Sequence, residues 1–294
     1  MQVTRLRSAA CNYGLLAVVV GGLIYAWNSV LASDNAIIIY FGRPSDIVSY
    51  AATEKWSLLE STFWCAVVAI TSLILAGLVA TLLLITGLLL GDRLNAIESM
   101  AAVLQTLPVL VIVTLSLIVE TQTARLLNLS PSASSYCFFP VTVALMFPPL
   151  ANGAGAIRRI PINLKAMLRL WDCPSLWRIR RVYIPLAIPD ILTGVRASST
   201  WAVGATLIAE GLLNGVNGDS KTLGHFLVRP FSSSVLPGRT PAVIVIATLL
   251  GFLVYFMFAV IQRYAEKRLR GDVAAAEAEY PLHAIVPDRT SQPV

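Results

Sequence analysis

The chain has 294 residues, of which 56% are hydrophobic and 13% are charged, and its mean hydropathy is +0.74. A soluble globular domain carries about 25% charged residues, so this composition excludes a water-soluble protein and indicates a chain embedded in lipid. The formal charge of +6 does not indicate nucleic-acid binding, because the basic residues lie in loops between apolar segments.

Five segments without Lys, Arg, Asp or Glu are long enough to cross a bilayer. They are residues 8–33, 61–91, 99–119, 126–157 and 240–262. Residues 187–214 are predicted to form a further span, the fifth in chain order, although they contain Asp190, Arg196 and Glu210. The predicted fold class is therefore an all-α polytopic membrane protein with about six transmembrane helices.

The distribution of Lys and Arg predicts the orientation in the membrane. A cytoplasmic N-terminus places fifteen of the 22 basic residues inside, six outside and Arg196 within a span. Basic residues favour cytoplasmic loops, so both termini are predicted to be cytoplasmic. The first span could alternatively be a secretory signal, but its 26 uncharged residues favour a retained anchor.

These assignments divide the chain into four parts. Residues 1–33 are an anchor, 34–59 an external segment at the membrane interface, and 60–265 a five-helix core. Residues 266–294 are predicted to be a disordered cytoplasmic tail, because they bury little apolar surface.

The core contains a long cytoplasmic loop, residues 156–185, between the fourth and fifth spans. Its apolar residues follow helical spacing: Ile160, Leu164, Met167, Leu168 and Trp171. Asp172 tolerates the left-handed conformation that ends a helix, and Pro174 suits the start of another. The pattern predicts helix, tight turn, helix; a basic amphipathic segment lying on anionic headgroups is the alternative.

The residues after this loop carry a family resemblance. The pattern Leu-Pro-x-x-x-Pro-x-Ile-x-x-Gly-x-Arg is matched by Ile184, Pro185, Pro189, Ile191, Gly194 and Arg196. Ala209-Glu210 and Leu223-Gly224 match later positions. Over about residues 146–265 the chain resembles the inner-membrane permeases of binding-protein-dependent ABC importers, most closely the nitrate, sulfonate and taurine group.

The resemblance implies that the loop couples the permease to a separate cytoplasmic ATPase. The residues it assigns to coupling are Lys165, Leu168, Arg169, Trp171, Asp172, Leu176, Pro185 and Gly194. Leu168, Trp171 and Leu176 are predicted to fill a groove of the ATPase, with Arg169 paired to acidic residues at its edge. The family's loop glutamate and glycine are absent: counted back from Pro185 they fall on Ala166 and Asp172, and counted forward from Pro161 on Lys165 and Trp171.

The fifth span is predicted to line the translocation path or to gate it. The candidate residues are Arg196, Ser199, Gly204 and Glu210. Small residues along this helix leave room for a cavity or allow close helix packing, and both readings stay open. For Glu210 a gating or packing role is favoured over substrate binding, because a carboxylate would repel an anion.

The resemblance also implies the partners and the location. We expect ATPase subunits, an external substrate-binding protein and a second permease chain, identical or different, in a bacterial cytoplasmic membrane. We expect no cofactor, metal, nucleic acid or catalytic residue, because no nucleophile, base and orienting residue cluster in the sequence. The alternatives are an ATP-independent transporter or channel, and a membrane scaffold subunit with a degenerate loop.

Overall fold

The computed structural model describes residues 18, 21–22, 25–26, 29, 43–90, 93–126, 137–217, 222–228 and 238–279. All regular structure within these ranges is helical. Most of the predicted anchor, residues 1–33, lies outside the described residues, as do residues 280–294 of the predicted tail.

The described helices include long membrane-spanning ones and several short ones. They are α1 (Pro44–Thr53), α2 (Lys55–Leu89), α3 (Leu94–Gln105), α4 (Val109–Leu126), α5 (Phe138–Leu145), α6 (Phe147–Arg159), α7 (Ile162–Leu170), α8 (Ser175–Arg178), α9 (Ile184–Asn217), α10 (Leu223–Val228) and α11 (Arg239–Glu279). A five-residue π-turn, Ile179–Tyr183, joins α8 to α9. The helices divide into a smaller unit, within residues 1–65 and 210–249, and a larger unit, within 66–209 and 250–294.

Four helices of the described residues are long and apolar enough to cross a membrane. They are Lys55–Leu89, Val109–Leu126, Phe138–Arg159, which joins α5 and α6, and Arg239–Arg268. Helix α9 contains the predicted fifth span and has 34 residues, but its many small and polar residues keep it out of this set. The all-α polytopic fold class is confirmed.

The predicted third span is not one helix. Helix α3 ends at Gln105, and α4 begins at Val109 after a break that contains Pro108. Proline donates no backbone hydrogen bond and disfavours the helical conformation in the residue before it. The absence of charged residues does not reveal such a break. The prediction of one continuous helix over residues 99–119 is therefore wrong. The two halves of the predicted span have different partners: helix α3 packs on α6, and helix α4 packs on α5.

The core of the larger unit lies where α2, α3, α6 and α9 meet. Leu84, Leu150, Ile157 and Ile191 belong to one buried cluster there. A Cβ atom at Gly153 would lie 2.8 Å from Ile191 Cγ1, so the small residue allows these side chains to approach α6 closely. Such packing of small against large residues stabilises helices in lipid.

A contact between α9 and the junction of α5 and α6 follows from two consecutive prolines. Residue 149 is proline, so the carbonyl of Leu145 lacks the usual donor four residues later. Ser198 of α9 donates to that carbonyl, with Oγ 2.8 Å from the oxygen. A Cβ atom at Gly194 would lie 2.5 Å from Pro149 Cα and 2.6 Å from the Pro148 carbonyl oxygen. Only glycine fits at that position, one helical turn before Ser198.

A chain of polar side chains joins α9 to α11 in the larger unit. Arg196 NH2 donates to the Tyr255 hydroxyl at 2.6 Å, and its guanidinium carbon lies 5.0 Å from that ring's centroid. Arg196 NH1 donates to Gln262 Oε1 at 3.3 Å, and Gln262 Nε2 donates to Thr193 Oγ1 at 2.9 Å. The one cation of α9 is thus fully engaged by neighbouring side chains, which suits a charge at membrane depth.

Glu210 connects α9 to α10 in the smaller unit, as Arg196 connects α9 to α11 in the larger unit. Its side chain is 3% exposed, and its Oε2 accepts a hydrogen bond of 2.8 Å from the backbone N–H of Gly224. Glu210 therefore caps the first turn of α10, where helix N–H groups lack partners. The two motif halves Ala209-Glu210 and Leu223-Gly224 meet in this contact.

The last helix is longer than predicted. Helix α11 continues to Glu279 and so covers residues 266–279 of the segment that was expected to be disordered. The alternation of Ala and Glu from Ala274 onward explains this extension, because both residues have high helix propensity. The prediction of disorder was based on the small apolar surface that these residues can bury. A helix can form without burying such a surface.

Replacing Gly194 with alanine should destabilise the chain. The new methyl group would overlap the backbone of Pro148 and Pro149, and overpacking of this kind costs about 1–3 kcal/mol. We expect a lower thermal unfolding midpoint for Gly194→Ala in detergent. Gly204→Ala on the same helix is the matched control: its Cβ meets nothing within 4 Å, so the midpoint should stay the same or rise. Equal behaviour of the two variants would contradict the close approach.

Replacing Glu210 should destabilise α10 through the lost acceptor. Glu210→Ala leaves the backbone N–H of Gly224 without its acceptor, and an unsatisfied buried donor costs about 1–3 kcal/mol. Glu210→Gln keeps an acceptor oxygen and should lose less. Unfolding midpoints and amide hydrogen exchange at residues 223–228 measure both effects. The exposed Glu60→Ala serves as control, and unchanged exchange in Glu210→Ala would refute the cap.

Candidate functional site

The loop between α6 and α9 forms the predicted helix, turn and helix. Helix α7 ends at Leu170, Pro174 occupies the N-cap position of α8, and the π-turn continues directly into α9. Asp172 has φ = 49°, the only positive φ of a non-glycine residue in the described ranges. Its short polar side chain makes this conformation accessible, so the predicted left-handed turn is confirmed.

The turn also distinguishes between the two ways of counting the loop pattern. Glycine is the usual residue in a left-handed turn, and Asp172 occupies the family glycine's position when the pattern is counted back from Pro185. Counted forward from Pro161, that position is Trp171, which lacks this conformation. The spacing between the turn and Pro185 therefore matches the pattern, and Asp172 replaces the glycine in making the turn.

One side of the loop is buried against the larger unit. Leu168 is 3% exposed and Ile179 is 3% exposed, and Leu164 and Tyr183 pack against the core cluster. This corrects the prediction that Leu168 faces outward together with Trp171 and Leu176. An amphipathic helix has one apolar stripe for its own core, and Leu168 belongs to that stripe.

The opposite side exposes large apolar residues. We refer to them as the exposed loop residues: Ile162, Leu170, Trp171, Leu176 and Trp177. Trp171 is 68% exposed and Leu176 is 62% exposed. Ile162, Leu170 and Trp177 were missed as site residues, and the signal for them was their position off the buried stripe of a short helix.

Polar contacts hold the loop near the ends of α6 and α9. Arg158 pairs with Glu98 of α3 at 2.7 Å, and Arg159 pairs with Asp190 of α9 at 3.4 Å. Lys165 is half-buried, and its Nζ donates to the Arg158 carbonyl at 3.4 Å. Arg169 lies within α7, and its side chain is outside the described residues.

Two predicted coupling residues lie in the fold rather than on the loop surface. Gly194 is buried in the contact of α9 with Pro148 and Pro149, so its role is helix packing. Pro185 is half-buried in the first turn of α9, where the missing N–H of proline is tolerated.

The predicted path residues do not form one cluster. Arg196 and Glu210 are fourteen residues apart in one helix, or about 21 Å at 1.5 Å per residue. Both are engaged, by Tyr255 and by the start of α10. Ser199 is buried and donates to the Arg196 carbonyl of its own helix at 2.7 Å. Gly204 alone of the four is exposed. In the described part of the chain, no group of three or more His, Cys, Asp or Glu residues could hold a metal ion.

The sequence is similar to transport proteins of known substrate. It is 26% identical to the choline transport system permease protein OpuBB of Bacillus subtilis, over 74% of this chain and 92% of that protein. It is 24% identical to the bicarbonate transport system permease protein CmpB of Synechococcus elongatus, over 76% of each chain. It is 23% identical to the nitrate import permease protein NrtB of Leptolyngbya laminosa, over 72% of this chain and 73% of that protein.

The fold is similar to that of a solved transporter. A chain of the inward-facing MetNI methionine ABC transporter superposes with a TM-score of 0.54, at 15% identity, over 72% of this chain and 98% of that one. Residues 84–271, more than half of the chain, match the family described as binding-protein-dependent transport system inner membrane component. With its apolar helices, its loop and its Gly194 and Glu210 contacts, the chain belongs to this family, the permease subunits of binding-protein-dependent ABC importers.

Proposed function

We propose that this permease subunit couples to its ATPase through the exposed loop residues. The observation that carries the proposal is the two-sided burial of the loop: Leu168 and Ile179 are inside the larger unit, whereas Trp171 and Leu176 are largely exposed. Exposed apolar surface outside the membrane marks an interaction site. Tryptophan and leucine on short helices suit a helix-in-groove contact with a second protein.

The connection of the loop to α9 supports transmission of movement. The π-turn joins α8 to α9 without a break, so force on the loop acts directly on the helix that carries Arg196 and Gly204. The π-turn connects α9 to the loop, and the ion pair of Arg159 with Asp190 also connects α9 to α6. Closure of an ATPase pair would shift α9, and permease halves would move between inward-open and outward-open states by rigid-body rearrangement.

The substrate we propose is a small anion, such as nitrate, bicarbonate or a sulfonate, or the zwitterionic sulfonate taurine. Two of the three relatives named above are a bicarbonate and a nitrate permease, and the third is a choline permease. Glu210 is not open to a cationic substrate, because it is buried and its carboxyl group accepts a hydrogen bond from the backbone N–H of Gly224. A cation substrate would need a negative group that is available to bind it.

The assembly follows from the same family. An ATPase and an external binding protein are expected partners of a binding-protein-dependent permease, and a second permease chain, identical or different, would complete the pore. We also propose that both termini are cytoplasmic, in a bacterial inner membrane, and that ATP hydrolysis takes place in the separate ATPase.

A scaffold subunit that has lost coupling is the second candidate. It is favoured by the absence of the family's loop glutamate, where this chain has Ala166 in the count back from Pro185. The turn at Asp172 weakens this candidate, because the loop keeps its shape without the family glycine. An ATP-independent transporter is the third reading, and ATPase binding distinguishes coupling from both alternatives.

Removing two of the exposed loop residues should weaken ATPase binding. A buried aromatic anchor in a protein interface contributes about 2 kcal/mol or more, so Trp171→Ala combined with Leu176→Ala should weaken the complex more than about tenfold. Affinity purification of the tagged chain, with quantitative mass spectrometry of the recovered ATPase, measures the loss.

Two further variants control this experiment. Phe252→Ala removes an equally exposed aromatic residue from α11, where Phe252 is 67% exposed, and should leave ATPase recovery unchanged. Leu168→Ala should lower the unfolding midpoint, because it empties a buried site. If the double variant recovers as much ATPase as wild type, the exposed loop residues do not couple the two proteins.

A further inference from the structure

A small basic cavity lies beneath the loop. Its volume is about 110 Å³, and its polar lining comes from Lys165, Ser175, Arg178 and Tyr183, with Leu88 and Ile157 among the apolar residues. A water molecule occupies about 30 Å³ in the liquid, so the cavity has room for a few waters or one small polyatomic ion. It draws on α7, α8 and the π-turn, and so lies between the two arms of the loop.

The charge of this cavity is not balanced by carboxylates. The nearby acids Glu98 and Asp190 pair with Arg158 and Arg159. No carboxylate of the described residues lies within 4.0 Å of the Lys165 ammonium or the Arg178 guanidinium. Two partly buried cations, Lys165 and Arg178, line one cavity, and an anion between them would relieve their mutual repulsion.

The cationic groups are already positioned. Lys165 Nζ donates to the Arg158 carbonyl at 3.4 Å, and Arg178 NH2 donates to Ser175 Oγ at 3.1 Å. Each contact uses one of several donors, since ammonium has three and guanidinium five. The remaining donors, with the hydroxyls of Ser175 and Tyr183, are suited to a tetrahedral oxyanion.

We propose that this cavity binds a phosphate-type oxyanion, which bridges Lys165 of α7 to Arg178 of α8. Arginine and lysine bind phosphate oxygens through short charge-assisted hydrogen bonds. The source is either inorganic phosphate or the phosphodiester of an anionic phospholipid headgroup. The proposal concerns the cavity under the loop and does not depend on ATPase binding to the exposed loop residues.

The test uses the full-length chain in nanodiscs of phosphatidylcholine. One arm titrates sodium phosphate by calorimetry at constant ionic strength, with chloride as the balancing anion. The other arm reconstitutes the chain with added phosphatidylglycerol and measures retained lipid by native mass spectrometry. Lys165→Gln combined with Arg178→Gln should weaken binding about a hundredfold, about tenfold for each lost charge-assisted contact.

The matched control is Arg180→Gln combined with Arg181→Gln. These two arginines are exposed, lie in the same π-turn and are not among the residues that line the cavity, so affinity should stay within about twofold of wild type. If the cavity variant loses affinity for sodium phosphate, the ligand is the free ion. If it retains less phosphatidylglycerol, the ligand is the lipid headgroup.

Two results would overturn the proposal. The first is no binding of either probe by wild type, and the second is an equal loss in the control variant, which would indicate a diffuse basic surface.

Discussion

The contact between α9 and the prolines at the start of α6 organises the larger unit. Pro149 leaves the Leu145 carbonyl without its helical donor, and Ser198 supplies a hydroxyl to it from α9. That hydrogen bond requires the backbones to be close, and Gly194 is the residue that allows this. A buried carbonyl without a donor is costly where no water can reach it. The proline pair therefore determines where α9 lies, and α9 continues through the π-turn into the loop.

The ionisable residues of α9 show how a helix of mixed composition is accommodated. Arg196 is engaged by Tyr255 and Gln262, and Glu210 by the first turn of α10. Each charge is satisfied by a neighbouring element, so each residue also holds a helix in place. The low hydropathy of α9 is consistent with a helix surrounded largely by protein, which the burial of Ser198, Ser199 and Thr206 supports.

The sequence predicted most of the architecture and less of the site. Uncharged stretches matched three of the four spanning helices and only part of the fourth, Val109–Leu126, and turn chemistry at Asp172 and Pro174 predicted the loop. The break at Pro108 was missed because hydropathy does not register a proline. Leu168 was assigned to the coupling face because helical spacing shows which residues share a face, and Gly194 because it matches the family pattern. Neither signal shows what the residue contacts, which is visible only in three dimensions. The contact of Glu210 with Gly224 joins two motifs whose sequence separation gives no distance.

The π-turn at Ile179–Tyr183 has a geometric consequence for the loop's direction. It closes hydrogen bonds over five residues where an α-helix uses four, so it contains one additional residue. One residue corresponds to about 100° of rotation around a helix axis. The side chains of α8 are therefore rotated about the helix axis relative to those of α9. A helical repeat counted from α8 through the turn does not predict which side chains of α9 share its face. Leu176 and Trp177 can thus point to solvent while Ile179 and Ile191 remain buried, an arrangement set by the register of a single turn.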